Sequence, residues 1–269
     1  MSLKFREEDH SYTSDDGIIW TSVTSLVGKY KQPFDVEAGA LKSSKNKNSK
    51  WYGLEPTKIK DLWNKEGKRA TDLGTWYHNM REKDLLSCYT IGENALLVNK
   101  PIIEDDGLKI APEQKLKNGV YPEHFIFLKS AGVCGQADYV DVIDGTVNIT
   151  DYKTNKEINI ESYKNWEGIH KMMNGPLSHL QDCHMTHYTL QMSIYMYMML
   201  RHNPKLKVGN LTIQHITFEK EKDDQYGYPI TKYDDMGNPV VKDITNYDVP
   251  YLKEEVINLI SEYNANKTV

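Results

Sequence analysis

Two aspartates and a lysine lie at the open end of a segment whose pattern predicts a β-hairpin. The segment covers residues 133–156 (VCGQADYVDVIDGTVNITDYKTNK), and Asp144-Gly145 at its centre is a strong signal for a two-residue hairpin turn. Pairing outward from this turn places Asp138 opposite Asp151. Because Cβ atoms in such a pair are only ~4.5–5.5 Å apart, two carboxylates there repel each other. A shared proton or a divalent cation such as Mg²⁺ would relieve the repulsion, so the hairpin predicts a metal site.

The same register predicts which face of the hairpin carries these groups. Alternation along the two strands places four apolar side chains on the face of the carboxylates: Val140, Val142, Val147 and Ile149. We therefore expect this face to point into the core, with Gln136 and Lys153 beyond the two aspartates. A lysine beside a reacting water can orient it or neutralise charge on a phosphate. A lone Asp-x-Lys is usually a surface ion pair, but its cross-strand partner Asp138 favours catalysis here.

The rest of the chain predicts the elements that position this hairpin. We expect a hairpin over 10–20, a mobile loop over 42–50, and an irregular acidic segment after 219. Predicted helices cover 22–30, 57–86, 159–172, 184–202 and 250–264, and predicted strands cover 120–129, 133–143, 146–153 and 209–219. This order predicts one α/β domain with a central mixed β-sheet flanked by helices. Its expected parts are a mostly helical 1–100, a core over 115–220, and an acidic segment with a C-terminal helix over 221–269.

The amino-acid composition excludes or disfavours several classes of protein. The 269 residues are 39% hydrophobic and 26% charged, with a net charge of −5, which excludes a strongly basic histone-like binder. We expect no membrane-spanning segment and no secretion signal, because neither an 18-residue apolar window nor an apolar N-terminal core occurs. The three cysteines form no CxxC pair and disfavour both a disulfide scaffold and a four-cysteine cluster, so a reducing cytoplasm is the expected location.

Charge is distributed unevenly along the chain. Residues 42–69 hold nine Lys or Arg against three Asp or Glu, whereas residues 219–262 hold five Lys against eleven Asp or Glu. A local basic surface on an acidic protein is compatible with an enzyme that acts on nucleic acid. We therefore consider the basic segment a candidate contact for a phosphate backbone.

Several motifs carry a resemblance to a known family. Asp138, Asp151 and Lys153 reproduce the D…(D/E)xK core of the PD-(D/E)XK nuclease superfamily. Four further motifs resemble the RecB-like branch in chain order: GTWYH with Gly74 and His78, YPEH with Glu123, GQAD with Gly135 and Asp138, and QMSIY with Gln191 and Tyr195. Residues 10–26 (HSYTSDDGIIWTSVTSL) are also similar to the opening of phage-encoded and mitochondrial-genome-maintenance-type exonucleases. Each motif alone is weak, but their order over most of the chain is specific.

The resemblance implies a fold and a chemistry. The fold would be a restriction-endonuclease-like core with an N-terminal helical extension. The activity would be Mg²⁺- or Mn²⁺-dependent hydrolysis of DNA from its ends, in replication, repair or recombination. The implied metal ligands are His78, Glu123, Asp138, Asp151 and the backbone carbonyl of Tyr152. Lys153, Gln191 and Tyr195 would assist catalysis. The three scattered cysteines argue against the iron–sulfur cluster of some relatives, and the absence of helicase motifs implies that any helicase or recombination partner is a separate chain.

Other residues are candidates for contact with DNA. Ser22 and Thr24 lie at a predicted helix N-terminus, where hydroxyl and amide groups can bind phosphate, although simple capping is equally compatible. Four lysines are candidates for backbone contacts: Lys45, Lys47, Lys50 and Lys156. Trp51 and Tyr52 could stack on bases of a single strand, so we expect the partner to be DNA ends with single-stranded character.

Two alternatives stay open at this point. A structure-specific endonuclease of the same fold would carry the same residues, and only its cutting of closed circular DNA would separate it from an exonuclease. A non-catalytic DNA-binding or recombination module would bind DNA without cutting it. Adjacent carboxylates facing a polyanion argue against this second alternative, because a pure binding module has no need of them.

Overall fold

The computed structural model describes residues 3–93, 95–105 and 107–267. In this part of the chain there are five α-helices, which cover Val23–Gly28 (α1), Val36–Lys45 (α2), Pro56–Ser87 (α3), His184–His202 (α4) and Lys253–Lys267 (α5). Two short 3₁₀ turns, Lys129–Ala131 and Gly175–Leu177, also occur. The predicted helices near 22–30, 57–86, 184–202 and 250–264 are confirmed within a few residues.

Fourteen strands occur among the described residues. The first seven are Leu3–Arg6 (β1), Ser11–Ser14 (β2), Thr21–Ser22 (β3), Thr90–Ile91 (β4), Leu96–Leu97 (β5), Ile102–Ile103 (β6) and Lys109–Ile110 (β7). The others are Gly119–Leu128 (β8), Val133–Ile143 (β9), Thr146–Lys153 (β10), Lys207–Phe218 (β11), Lys220–Asp223 (β12), Pro229–Thr231 (β13) and Val241–Val249 (β14). The four strands predicted over 120–129, 133–143, 146–153 and 209–219 are β8 to β11.

The central sheet contains six strands in the order β14-β11-β10-β9-β3, with β8 also paired to β9. The β10–β11 and β3–β9 pairs are parallel, and the others are antiparallel. The predicted mixed sheet flanked by helices is therefore confirmed. β8 follows one edge of β9, while β3 and β10 share the other edge. Between them the strands leave residues 135–138 of β9 without a ladder partner on that side. Asp138 lies at this gap.

The main core lies between this sheet and the helices α1, α4 and α5. It includes the four apolar hairpin residues of the predicted inward face, together with Leu190 and Ile194 of α4. That part of the face prediction is confirmed. Burying this apolar area is what fixes the register of the two central strands, because a slip by one residue would expose all four side chains.

Two smaller clusters attach the remaining elements. A four-stranded sheet of order β2-β1-β7-β6 packs Leu3 and Phe5 against Phe125 of β8. The second cluster holds Ala40 of α2 and Ile59 of α3 together with Trp51 between them. We call α2, α3 and the β12–β13 hairpin the cap, because the hairpin residues Tyr226 and Tyr228 pack on this cluster.

Two local predictions near the N-terminus are wrong. The hairpin expected over 10–20 is formed by β1 and β2 instead, with the turn between Arg6 and Ser11. Asp16-Gly17 forms a turn that leads out of β2 rather than into a second strand. The loop expected over 42–50 is wrong only for residues 42–45, which form the end of α2, while residues 46–50 lie outside the helix. The N-terminus of α2 is capped by Asp35, which accepts a hydrogen bond from the Ala38 amide.

Two predictions in the second half are also wrong. Residues 159–172 form no helix, since the Asn165 side chain accepts hydrogen bonds from the Glu167 and Ile169 amides and so stabilises a turn. The acidic segment after 219 is not irregular, because it forms β12, β13 and β14. β14 pairs with β11 over most of its length, and this partner is distant in sequence, so local composition did not reveal the strand.

In the described part of the chain, no helix has both the length and the apolar character needed to cross a bilayer.

Candidate metal centre

The register predicted for the central hairpin is observed from the turn outward. Ile143 pairs with Thr146, and the ladder continues to Tyr139 paired with Thr150. Asp138 and Asp151 lie one step beyond this last pair. There the Tyr152 amide donates a 2.6 Å hydrogen bond to Asp138 Oδ2, so the Asp138 carboxylate replaces the next ladder partner. The hairpin thus brings both predicted carboxylates to its open end.

Glu123 interrupts the ladder between β8 and β9 at the step next to Asp138. Pro122 pairs with Tyr139 and His124 pairs with Ala137, while the step that would join Glu123 and Asp138 is absent. Glu123 has φ of 46°, a left-handed conformation that costs a non-glycine residue about 1–3 kcal/mol. Such interruptions redirect side chains, and the strain is typical of functional sites. The backbone therefore distorts where the predicted acidic ligand lies.

The alternation of β9 also changes at this step. Ala137 and Val140 are three positions apart, which strict alternation would place on opposite faces, yet both pack into the main core. Gln136 lies opposite Phe125, whose ring belongs to the small cluster with Phe5. The prediction that Gln136 shares the face of Val140 is wrong, because strict alternation does not persist through the distortion at Glu123 and Asp138.

His78 of α3 completes the group. Its Nδ1 lies 3.6 Å from Glu123 Oε1 and 3.6 Å from Asp138 Oδ1. Its Nε2 lies 3.3 Å from the carbonyl oxygen of Tyr152. One ligand atom from each of His78, Glu123 and Asp138 lies within 4.8 Å of the other two, close enough for one cation to bind all three. Two carboxylate oxygens and an imidazole nitrogen form a donor set that several divalent metal ions accept.

The electrostatics of this group favour a bound cation. Burial raises the pKa of Asp138, and the Glu123 carboxylate adds to the effect against the opposing influence of His78. Burial disfavours the imidazolium of His78, but Asp138 and Glu123 outweigh it and raise the pKa of His78 to about 9. A proton on His78 therefore sits where a metal would otherwise balance the two carboxylates.

Asp151 and Lys153 form a buried ion pair next to this group. Their charged atoms, Asp151 Oδ2 and Lys153 Nζ, are 2.5 Å apart, and Asp151 is only 1% exposed. Burial raises the pKa of Asp151 to about 6 despite the nearby Lys153. Asp151 does not belong to the three-residue group found among the described residues. Its carboxylate is paired with Lys153 and lies outside the group of residues that could bind a metal.

The two residues of the QMSIY motif lie behind Asp151. The Gln191 amide donates to Asp151 Oδ1 at 3.4 Å and to the Tyr195 hydroxyl at 3.4 Å. Gly135 allows this packing, since a Cβ there would lie 2.9 Å from the Tyr195 ring. Burial raises the pKa of Tyr195 well above its usual range, so the phenol stays neutral. Gln191 and Tyr195 are therefore placed to position Asp151.

Gly74 has a comparable role on α3. A Cβ at Gly74 would lie 3.1 Å from Thr154 Oγ1, so its absence lets α3 approach the end of β10. The helix then carries His78, one turn later, over the carbonyl of Tyr152. A cleft of about 470 Å³ opens beside these groups. Its walls include His78, Glu82, Lys109, Glu123, Gln136, Lys153 and Asn155.

The predicted DNA contacts are dispersed. The Ser22 hydroxyl caps α1 by accepting from the Ser25 amide, and it lies 3.1 Å from the Thr24 hydroxyl. Lys45, Lys47 and Lys156 are exposed. None of these five residues lines the 470 Å³ cleft.

The predicted stacking pair divides between core and surface. Trp51 is buried, and its ring packs against Tyr226 and Tyr228, so it offers no face to a base. The Lys50 ammonium lies 4.3 Å from the ring centroids of Trp51 and Tyr228 and donates a hydrogen bond to the Tyr226 carbonyl. Lys50 therefore stabilises the cap. Tyr52 is exposed and stays a candidate.

Sequence reasoning assigned no role to two residues of the cleft. Gln136 has a buried amide nitrogen without a hydrogen-bond partner among the described residues. Lys109 comes from β7 and lies 3.4 Å from Glu82 of α3. The position of Gln136 inside GQAD, two residues before Asp138, is the only sequence signal for it, whereas Lys109 lies in a short strand with no motif.

No family model, curated protein or solved structure matches this chain.

Proposed function

We propose that this protein is a Mg²⁺- or Mn²⁺-dependent DNA exonuclease that hydrolyses phosphodiester bonds at DNA ends. The observation that carries the proposal is the convergence of His78, Glu123 and Asp138 beside the buried Asp151–Lys153 pair. The order of the D…DxK, GxxxH and QxxxY motifs, which resembles that of RecB-like nucleases, supports it. Buried carboxylates with raised pKa values are typical of sites that bind cations or transfer protons.

Each group of residues at the site would have a separate role in hydrolysis. His78, Glu123 and Asp138 would hold a divalent cation, which supplies Lewis-acid stabilisation of charge on the phosphate. Lys153 would place its ammonium beside that phosphate and stabilise the charge that develops there. Gln191 and Tyr195 would keep Asp151 in place, and Asp151 in turn orients Lys153 through the 2.5 Å contact. No covalent link between protein and DNA is required.

The test uses end-labelled linear single-stranded, linear double-stranded and closed circular DNA. Each substrate is incubated with EDTA, Mg²⁺ or Mn²⁺, with the wild type and with Asp151→Asn. The matched control is Asp144→Asn, the same change at the exposed turn of the same hairpin, where φ is 48° and Asn is well tolerated. We expect metal-dependent loss of linear but not circular DNA, reduced about a hundredfold or more by Asp151→Asn only.

Three other outcomes would each support a different interpretation of the protein. Cutting of circular DNA would overturn the exonuclease assignment in favour of an endonuclease. Binding of DNA without cutting, with either metal, would favour a non-catalytic recombination module. Equal loss of activity in Asp144→Asn would mean that the hairpin matters for folding and not for catalysis.

A further inference from the structure

A second cavity lies directly beside the metal centre. It measures about 260 Å³ and shares Lys109, Glu123 and Gln136 with the 470 Å³ cleft. Glu123 and Gln136 thus line both cavities, and Glu123 is also a candidate metal ligand. A ligand in the second cavity would therefore adjoin the reacting phosphate proposed above.

Two residues that line this cavity carry buried polar atoms without hydrogen-bond partners among the described residues. His124 is 4% exposed, and its Nε2 accepts or donates no hydrogen bond among the described residues. The buried Nε2 of Gln136 is likewise without a partner there. Buried polar atoms of this kind are rare, because each costs the free energy of a lost hydrogen bond. Both residues line the cavity, which makes a ligand with hydrogen-bonding groups a candidate partner for them.

The rim of the cavity is basic. Four lysines line it: Lys100, Lys109, Lys115 and Lys117. The Lys115 ammonium donates to the His202 carbonyl, and Lys109 faces Glu82. Lys100 and Lys117 form no ion pair with any described residue. Two acidic residues, Glu113 and Glu123, also line the cavity, so the lysines outnumber the acids and favour an anionic ligand.

Several other residues that line the cavity are apolar. They include Pro101, Ile102, Ile110, Pro112 and Phe125. A bare phosphate would leave this surface uncovered, whereas a base and sugar would cover it. The volume of about 260 Å³ lies near the lower end of the range for small-molecule pockets, which suits one small ligand.

We infer that this cavity binds a single nucleotide, namely the terminal residue of the DNA strand that hydrolysis releases as a deoxynucleoside monophosphate. The inference rests on the proposed nuclease function and adds to it the size of the product. The lysines at the rim would bind the phosphate, the apolar walls would cover the base and sugar, and His124 and Gln136 would form hydrogen bonds with them. Glu123 would then separate the departing nucleotide from the rest of the strand.

The first experiment measures binding without catalysis. Isothermal titration of dAMP into the protein in EDTA should show one site in the wild type and in Asp151→Asn. The double variant Lys100→Glu/Lys117→Glu should bind dAMP at least about tenfold more weakly. The matched control is Lys205→Glu, an exposed lysine outside every cavity described here, and it should bind as the wild type does.

Two further probes separate the contributions of phosphate and base. Inorganic phosphate and deoxyadenosine should each bind more weakly than dAMP. If phosphate binds as tightly as dAMP, the cavity is an anion site only and the nucleotide assignment is overturned.

A second variant tests the buried hydrogen-bonding groups. His124→Phe keeps a planar ring and removes the unpartnered nitrogen, so the free protein should be at least as stable as the wild type. Its affinity for dAMP should fall by about threefold to tenfold. A loss of stability with unchanged affinity would show that His124 is structural and would contradict the inference.

The final arm is product length, measured on an end-labelled strand with the wild type. Release of mononucleotides supports the inference, and release of mainly longer oligonucleotides overturns it. The two proposals can fail separately. DNA hydrolysis with no dAMP binding would remove only the nucleotide site, whereas dAMP binding with no hydrolysis under any metal would remove the nuclease function.

Discussion

Charged side chains are arranged differently in the candidate metal centre and in the cap. At the candidate metal centre, Glu123, Asp138 and Asp151 bring like charges together away from water, with His78 and Lys153 between them. In the cap, opposite charges lie in separate pairs that are exposed or half-buried, such as Lys68 with Asp72 and Lys60 with Glu37. Buried like charges are costly unless a cation balances them, whereas exposed pairs contribute little free energy. Buried like charges are therefore concentrated in the candidate metal centre, whereas the charges of the cap are paired and dispersed.

The cap also explains why two oppositely charged segments occur in the chain. The basic segment 42–69 and the acidic segment 219–262 meet there, with Lys50 contacting Tyr226 and Arg69 contacting Thr231. The lysines Lys65 and Lys50 lower the pKa of Asp224 further, beyond the effect of its hydrogen bonds from the Tyr228 and Tyr226 amides. Part of the basic charge thus offsets acidic charge of the same protein and is not available to DNA.

We expect the largest effect on activity when a buried carboxylate of the candidate metal centre is removed. Asp138→Asn should reduce metal-dependent hydrolysis of linear DNA by about a thousandfold or more, because removal of a ligand charge costs several kcal/mol in the transition state. The protein without metal should keep its stability or gain some, since burial raises the pKa of Asp138 and a neutral amide relieves the repulsion from Glu123. A labelled-DNA assay and thermal unfolding in EDTA measure the two effects. Unfolding of this variant at room temperature would contradict the contrast.

A large effect on stability is expected in the cap. Trp51→Ala should lower the free energy of unfolding by about 3 kcal/mol, because it leaves a cavity beside Ala40 and Ile59. Trp166→Ala is the control, since that ring is 91% exposed and its loss should change stability by less than about 0.5 kcal/mol. Urea unfolding measures both. A normal stability for Trp51→Ala, with weaker DNA binding, would restore the stacking role predicted from sequence.

An intermediate effect is expected from pH at the metal centre. The raised pKa of His78 stabilises the metal-free protein fully below pH 6.5, and this contribution is lost as pH rises through about 9. A metal must displace that proton, so the apparent Kd for Mn²⁺ should fall by about tenfold per pH unit between pH 7 and 9. Isothermal titration in two buffers of different ionisation enthalpy measures the proton released. His78→Gln should abolish most of the dependence, and an unchanged pH slope in that variant would exclude His78 as a ligand.

The smallest effect is expected for an exposed pair of the cap. Lys68→Ala removes a contact of 3.0 Å with Asp72, but both side chains are mostly in water. The change in the free energy of unfolding should be less than about 0.5 kcal/mol and should shrink further in 1 M salt. Urea unfolding at two salt concentrations measures it. A loss above 1 kcal/mol would show that the surface pairs of the cap act as a network.

The central hairpin was predictable because its information is local. Asp144-Gly145 fixed the turn, and four apolar residues fixed the register, so the positions of Asp138 and Asp151 followed. The prediction that His78 and Glu123 belong to the site came from motif resemblance. The left-handed backbone of Glu123 was not predictable, since it depends on how β8 meets β9. That distortion is also why strict alternation misplaced Gln136.

Other elements could not be predicted because their partners are distant in sequence. β14 contains few apolar residues and becomes a strand through its ladder with β11. The 159–172 segment has helix-compatible composition, but Asn165 supports a competing turn that a periodicity argument does not detect. The burial of Trp51 depends on Tyr226 and Tyr228, which lie more than 170 residues further along the chain.

The position of β14 at the end of the sheet has a consequence for the behaviour of the protein in concentrated solution. Among the described strands, none pairs with its outer side, so its free amide and carbonyl groups could accept a strand from another molecule. Lys242, Asp243 and Asp248 are exposed along it, and such charges oppose edge-to-edge aggregation. The acidic character of this segment, which conceals the strand in the sequence, thus protects the folded protein from self-association through its sheet.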